Sequence, residues 1–216
     1  MRAALLEILP LALAASLSPT ALGFEITILS GKGNGRRNSL LFVLGAALFL
    51  VVLGLLVMLV FRHTVIPSDH HRKLSAWIDI VLGFSIILLV ARSFLPRKKK
   101  KKSGGSSRRR PYLIVGFLFM AINTSTIIPF VAASKTIADA RLPLLGAATL
   151  FAALVLMTVW MIAFPVVFSY AAPRSSGRAL ERMGAFMERH GSQLVRVFFL
   201  AAGVYLAVKG ISGLWS

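Results

Sequence analysis

The sequence contains no cysteine, and acidic residues are scarce, with 7 Asp and Glu against 25 Lys and Arg in 216 residues. The missing cysteines exclude disulfides, thiol redox relays and thiolate metal sites. The sequence also has no paired nucleophile and base, no phosphate-binding glycine loop with its following lysine, and no sustained heptads. We therefore expect no enzyme activity, no cofactor and no metal site.

What the chain has in abundance is apolar surface. Hydrophobic residues make up 57% of the sequence, and the mean hydropathy is +0.80. A soluble domain of this length has no core large enough to bury so much apolar area. The formal net charge of +18 would suggest nucleic acid in a soluble protein. Here we expect it to orient membrane spans and to contact anionic lipid headgroups, without nucleic acid.

Six apolar segments are long enough to cross a bilayer, which takes about 20 residues. They extend over about 3–30, 39–61, 74–95, 112–134, 142–170 and 194–215. Sixteen basic residues lie in the loops after the first, third and fifth segments, against five in the other two loops. The positive-inside rule predicts that these three loops are cytoplasmic and that both termini lie outside.

A proline with hydroxyl neighbours, Ser18-Pro19-Thr20, interrupts the first apolar segment. Proline removes a backbone donor and clashes with the carbonyl four residues earlier. Within a bilayer such a break is tolerated where it faces protein or a water-lined cavity. Broken helices mark substrate sites in many transporters, and a purely structural kink is the alternative.

A second polar patch, beginning at Asn123 and closed by Pro129, interrupts the fourth segment, and the two halves of the chain resemble each other around these patches. Leu44-Gly45-Ala46-Ala47 in the first half matches Leu145-Gly146-Ala147-Ala148 in the second. Three spans per repeat insert in opposite orientations, so we predict an all-α integral membrane fold of six helices in two inverted three-helix repeats. The expected substrate residues lie at the two breaks: Ser18, Pro19, Thr20, Asn123, Thr124, Ser125 and Pro129. Helix-to-helix hydrogen bonding is the alternative role of these polar groups.

Two acidic residues, Glu25 and Asp79, lie inside apolar segments. An ionisable group within a membrane is a functional candidate by default, and these two could couple transport to protons. Glu25 could instead pair with Lys32 near the cytoplasmic surface. Asp79 could instead be interfacial or paired with a basic residue.

A basic, low-complexity linker at 97–110 divides the chain into a first repeat at 1–96 and a second at 111–216. The linker contains five consecutive lysines: Lys98, Lys99, Lys100, Lys101 and Lys102. They either form a solvated topogenic loop or capture anionic lipid headgroups. Within the second repeat, residues 176–190 predict a short amphipathic helix on the cytoplasmic leaflet, with Gly191 as its stop.

The sequence resembles the lysine-exporter (LysE) superfamily at Pro19, at Gly35-Arg36-Arg37, at Gly45, in the linker and in the half that contains Asn123. Leu17-Ser18-Pro19 and the long basic linker look more like its actinobacterial glycolipid or peptidoglycolipid addressing (GAP) branch, which is Sap-like, than like the amino-acid exporters.

This resemblance implies a multi-pass transporter of the bacterial inner membrane that exports or addresses a lipid, glycolipid or other amphiphile by alternating access. A small-solute exporter (amino acid or cation) of the same fold, and a non-transporting scaffold of a lipid-export complex, stay open as alternatives. Membrane lipids are the expected partners, with a homodimer and a lipid-export machinery as further candidates.

Overall fold

The computed structural model describes residues 2–31, 34–63, 77–88, 111–171 and 176–215. Helices account for nearly all of these residues, as the apolar composition predicts. In chain order they are α1 (Arg2–Ser16), α2 (Pro19–Leu29), α3 (Gly35–His63), α4 (Trp77–Leu88), α5 (Tyr112–Ile122), α6 (Thr124–Asp139), α7 (Leu144–Ala171) and α8 (Ser176–Trp215).

Three stretches within these helices are long and apolar enough to cross a membrane by themselves: Gly35–Phe61, Leu144–Ala171 and Gln193–Ser212. Two bent helix pairs, α1 with α2 and α5 with α6, raise the number to five if each pair is one span. α4 is a shorter apolar helix, and the rest of the predicted third segment lies outside the described residues. The protein is therefore an α-helical membrane protein with three to five candidate spans in its described part.

The first break lies at Leu17 and Ser18, where α1 and α2 meet at a bend of 50°. Pro19 is the first residue of α2, a position where its missing N–H removes no helical hydrogen bond. Ser18 caps α2, because its hydroxyl accepts a hydrogen bond from the backbone N–H of Ala21 at 3.4 Å. Pro19 thus starts a new helix instead of kinking a continuous one.

The second break is sharper, and it lies at Asn123, where α5 and α6 meet at 76°. The sequence had predicted a patch closed by Pro129, but Pro129 lies inside α6, which continues past it. The N–H of Asn123 bonds back to Met120, and its carbonyl accepts from Thr126 and Ile127, so Asn123 ends one helix and begins the next. The bend therefore occurs at Asn123 and not at Pro129.

The two predicted halves of the chain are in close contact through α3 and α5. A Cβ atom added to Gly45 on α3 would collide with the backbone of Leu113 on α5. A Cβ atom added to Gly116 on α5 would collide with the backbone carbonyl of Phe42 on α3. Small residues at both positions let the two backbones approach closely, as is common between membrane helices.

Two helices extend further than the sequence predicted. α6 continues beyond the predicted segment end at residue 134 to Asp139, so Lys135 lies in a helix and not in a loop. α8 passes through Gly191, the predicted stop, and extends without a break from Ser176 to Trp215. A single interior glycine costs a helix only about 1 kcal/mol, which the long flanking helical segments can absorb. The surface position predicted for residues 176–190 stays a prediction.

Candidate functional site

The two breaks meet inside the helix bundle. The side-chain amide Nδ2 of Asn123 donates a hydrogen bond to the hydroxyl of Ser18 at 2.9 Å, although the two residues are 105 positions apart in sequence. Both side chains are buried. The residues that the sequence singled out in two separate segments therefore form one contact.

Three further hydroxyls surround this contact. Asn123 Nδ2 also lies 3.1 Å from Thr126 Oγ1, to which it donates, and Ser125 Oγ donates to Asn123 Oδ1 at 2.7 Å. The hydroxyls of Ser18 and Thr20 are 3.3 Å apart. We call these five residues the break site. It contains amide and hydroxyl groups and no charge, so it suits the neutral oxygens of a substrate, such as hydroxyl, ester or glycosidic oxygens.

The other predicted substrate residues take less direct positions. Pro19 shapes the break by starting α2, and Thr124 is exposed at the first position of α6. Pro129 is buried within α6, further along the helix than the hydrogen-bonded hydroxyls. The structure thus brings Ser18, Thr20, Asn123 and Ser125 together, adds Thr126, and leaves the remaining three at the margin.

An aromatic cluster lies beside the break site and joins the two halves of the chain. The rings of Phe24 on α2, Phe42 on α3 and Phe119 on α5 have centroids 5.1 to 5.5 Å apart. Phe119 precedes Asn123 by about one helical turn, and Phe24 is the neighbour of Glu25. Along the chain the cluster therefore adjoins both the break site and Glu25.

Glu25 is fully buried between α2 and α3. The hydroxyl of Ser39 donates a hydrogen bond to Glu25 Oε1, and Oε2 has no hydrogen-bond partner among the described residues. Lys32, the partner considered from the sequence, lies outside the described residues. We call Glu25 and Ser39 the Glu25 end of the bundle.

Asp79 is buried and paired with a lysine that the sequence analysis had assigned to a loop. Lys135 Nζ lies 2.7 Å from Asp79 Oδ1 and 3.0 Å from Asp139 Oδ2, and its side chain is only 1% exposed. It also lies 5.8 Å from the ring centroid of Phe61 on α3. The spacing of Lys135 and Asp139, one helical turn apart, was a signal for the ion pair between these two residues, but nothing local indicated the pair with Asp79.

A second ion pair lies close to the first. Lys209 Nζ on α8 is 2.6 Å from Glu7 Oε2 on α1, with side chains 29% and 39% exposed, and Tyr205 is hydrogen-bonded to Glu7. Lys209 also lies within electrostatic range of Asp79. We call these charged groups the charged end of the bundle: Glu7, Asp79, Lys135, Asp139 and Lys209.

The break site lies between the charged end and the Glu25 end. Ser39, near the start of α3, bonds to Glu25, whereas Phe61, near the end of the same helix, faces Lys135. At 1.5 Å per residue these two positions are about 33 Å apart, roughly the thickness of a bilayer core. Ser18 comes between Glu7 and Glu25 along the chain, and Asn123 precedes Lys135 by about three helical turns.

One further group of predicted residues cannot be described. The five linker lysines, 98–102, lie outside the described residues. Among the described residues, no group of three or more His, Asp or Glu side chains is arranged to hold a metal ion.

Comparison with known proteins identifies a family. No curated protein and no solved structure matches the chain. A family model described as "Sap, sulfolipid-1-addressing protein" matches residues 8–212, which is nearly the whole chain. The match confirms the predicted Sap-like addressing family, while membership of the wider LysE superfamily stays a prediction. The chain belongs to the SfLAP family of Sap, sulfolipid-1-addressing proteins.

Proposed function

We propose that this protein is a transporter of the bacterial inner membrane that exports or addresses a lipid, glycolipid or other amphiphile by alternating access. The observation that carries the proposal is the hydrogen bond between Ser18 and Asn123, which joins two broken helices inside the bundle. Transporters bind substrate at such breaks, where backbone groups are free of their helical partners. The lipid class of the substrate is supported by the description of the family.

We further propose a six-span fold of two inverted repeats, as in the LysE superfamily. Inverted repeats are related by a pseudo-two-fold axis, and residues close to that axis contact their equivalents in the other repeat. Two contacts are consistent with such an axis. Ser18 and Asn123 are 105 residues apart, close to the offset of 101 between the matching Gly45 and Gly146. Gly83 on α4 and Gly203 on α8, the last helices of the two halves, each face the other's carbonyl oxygen.

In this proposal the break site binds the polar part of the substrate and the bundle opens alternately towards either end. The hydroxyl and amide groups would hydrogen-bond neutral oxygens of the headgroup, while acyl chains stay among the apolar faces of the helices. The Ser18–Asn123 bond would part when substrate enters, because both side chains are also substrate ligands. Arg36, stacked over Tyr170 beside the start of α3, supports a cytoplasmic location of the Glu25 end.

Glu25 and Asp79 are the candidates for proton coupling. Their surroundings favour Glu25, because it is buried with only a hydroxyl partner among the described residues, whereas Asp79 is neutralised by Lys135. A carboxyl group without a cation beside it is most easily accommodated in an apolar region when it carries a proton. Protonation on one side of the membrane and release on the other would then drive export.

The test is lipid analysis of cells that carry the wild-type chain, Asn123→Leu or the matched control Asn34→Leu, which changes an exposed asparagine outside the break site. Surface-extractable and total lipid are measured separately. We expect Asn123→Leu to leave one lipid class at normal total and to remove about 90% of it from the surface, as loss of a buried polar ligand predicts. If Asn123→Leu is present at the normal protein level and surface lipid is unchanged, the break site is not the substrate-binding site.

The same assay separates the alternatives. Deleting residues 98–102 should preserve most export if the chain transports by itself, and should abolish it if the chain is a scaffold that acts through the linker. A small-solute exporter would leave both lipid pools unchanged in a deletion strain and would alter sensitivity to amino acids or metal cations.

A further inference from the structure

Lys135 has two carboxylate partners that belong to different helices. Asp79 is on α4, whereas Asp139 is on α6, one turn after Lys135 itself. The side chain of Asp79 is 5% exposed and that of Asp139 is 24% exposed. Of these two ion pairs, the one with Asp79 connects two helices, and it does so in a buried position.

Asp79 also has a second cation within electrostatic range. Lys209 on α8 acts on Asp79, and it is itself paired with Glu7 on α1. α4 is packed tightly against α8, because a Cβ atom added to Gly83 would lie 2.9 Å from the backbone N of Ala207. If α4 moves together with α8, Asp79 keeps Lys209 nearby.

We propose that Lys135 is a latch between α4 and α6, at which Asp79 is the partner released on opening and Asp139 the partner retained. This inference rests on the proposed alternating-access mechanism and assigns its positioning residue at the charged end. When the latch opens, Lys135 keeps Asp139 and Asp79 keeps Lys209. Opening therefore leaves both ions with an opposite charge nearby, whereas a buried ion without one would be costly in an apolar region.

The latch makes the two carboxylates act in opposite directions. Asp79→Asn removes the connection between the helices while Lys135 keeps Asp139, so the charged end should open more often. Asp139→Asn removes the retained partner, so opening would separate Lys135 from both carboxylates and should become rarer. A merely structural role predicts that both variants loosen this end.

The absence of cysteine makes a clean measurement feasible. Ser134→Cys places one thiol at a fully buried position next to Lys135, and it is nearly isosteric with a hydroxyl that has no hydrogen-bond partner among the described residues. The rate at which a membrane-impermeant maleimide modifies this thiol in intact cells, and in inverted vesicles, reports opening and the side to which it leads.

In the Ser134→Cys background we expect modification about tenfold faster with Asp79→Asn and about threefold slower with Asp139→Asn, as a population shift between closed and open states requires. Asp79→Glu should stay near the parent rate. In a Lys135→Gln background the slowing by Asp139→Asn should disappear, because no lysine is left to retain. Two controls test folding: the amount of protein in the membrane, and a single peak in size-exclusion chromatography of the detergent-solubilised protein.

Faster modification in both Asp variants, or slowing by Asp139→Asn that persists with Lys135→Gln, would overturn the latch. If the Asp79→Asn protein does not accumulate, the direction in which Asp139→Asn changes the labelling rate tests the latch. Asp139 is more exposed than Asp79, so its substitution should disturb folding less. The readout needs no lipid substrate, so the latch can fail while lipid export stands. Loss of the lipid phenotype with the opposed labelling rates intact would instead refute the proposed function alone.

Discussion

The charged end and the Glu25 end both hold an acidic side chain in apolar surroundings, but with different partners. At the charged end Asp79 is neutralised by Lys135, and Glu7 by Lys209. At the Glu25 end, the hydroxyl of Ser39 donates a hydrogen bond to Oε1 of Glu25. Oε2 of Glu25 has no hydrogen-bond partner among the described residues. A paired carboxylate keeps its charge and connects helices, whereas a carboxyl with only neutral partners is free to gain and lose a proton. This difference supports the proposal that the charged end connects helices and that Glu25 exchanges protons.

The largest effect on stability should come from Lys135→Met, which keeps the side-chain volume and removes the charge. Asp79 would lose its direct ion pair and retain Lys209 within electrostatic range, a cation that is itself paired with Glu7. We therefore expect a loss of about 3 kcal/mol, the lower end of the range typical for breaking a buried ion pair. The free energy of unfolding in a denaturing-detergent titration measures the loss. Lys209→Met is the matched control, because its ion pair is partly exposed and should contribute about 1 kcal/mol or less. Equal losses in the two variants would remove the distinction between the two pairs.

A medium effect is expected from Ser39→Ala at the Glu25 end. The substitution removes the hydrogen bond to Glu25 Oε1 and leaves the carboxyl group without a described partner, at a cost of about 1–3 kcal/mol. Thermal unfolding of the purified protein gives the change. Ser134→Ala is the control, since it deletes a buried hydroxyl that has no hydrogen-bond partner among the described residues and should change stability by about 0.5 kcal/mol or less. A loss for Ser134→Ala as large as for Ser39→Ala would contradict this account of the Glu25 end.

The smallest effect on stability is expected from Glu25→Gln, which imitates the protonated side chain. Gln can still accept the hydrogen bond from Ser39, so unfolding should shift by about 1 kcal/mol or less. Export should at the same time lose its dependence on an imposed proton gradient, measured in vesicles with and without a pH difference. Gradient-dependent export by Glu25→Gln would transfer the coupling role to another group.

Much of the site could be predicted from the sequence because it depends on local features. Pro19 must interrupt a continuous helix, and a run of Asn, Thr and Ser within an apolar segment must find polar partners, so two breaks were expected and both exist. The structure brings these two breaks together at the Ser18–Asn123 contact, while the repeat relation between the two halves stays a prediction.

What the sequence could not predict depends on distant partners. Lys135 was assigned to a loop because an apolar segment conventionally ends at a charge, yet a carboxylate 56 residues earlier keeps it buried within a helix. The close approach of α3 to α5 through Gly45 and Gly116 likewise becomes visible only when the helices are packed. The continuity of α8 through Gly191 depends on flanking helical residues that outweigh one unfavourable position.

We propose that this chain by itself moves lipid through the break site. The direct test is reconstitution of the purified protein into vesicles with a fluorescent lipid in one leaflet, followed by quenching from outside. We predict that the wild-type chain carries lipid to the other leaflet and that Asn123→Leu does so at about one tenth of that rate or less, with equal incorporation. Equal lipid movement by both proteins would show that the break site does not bind the substrate. If the wild type moves no lipid under any imposed gradient, the chain is not a lipid transporter by itself.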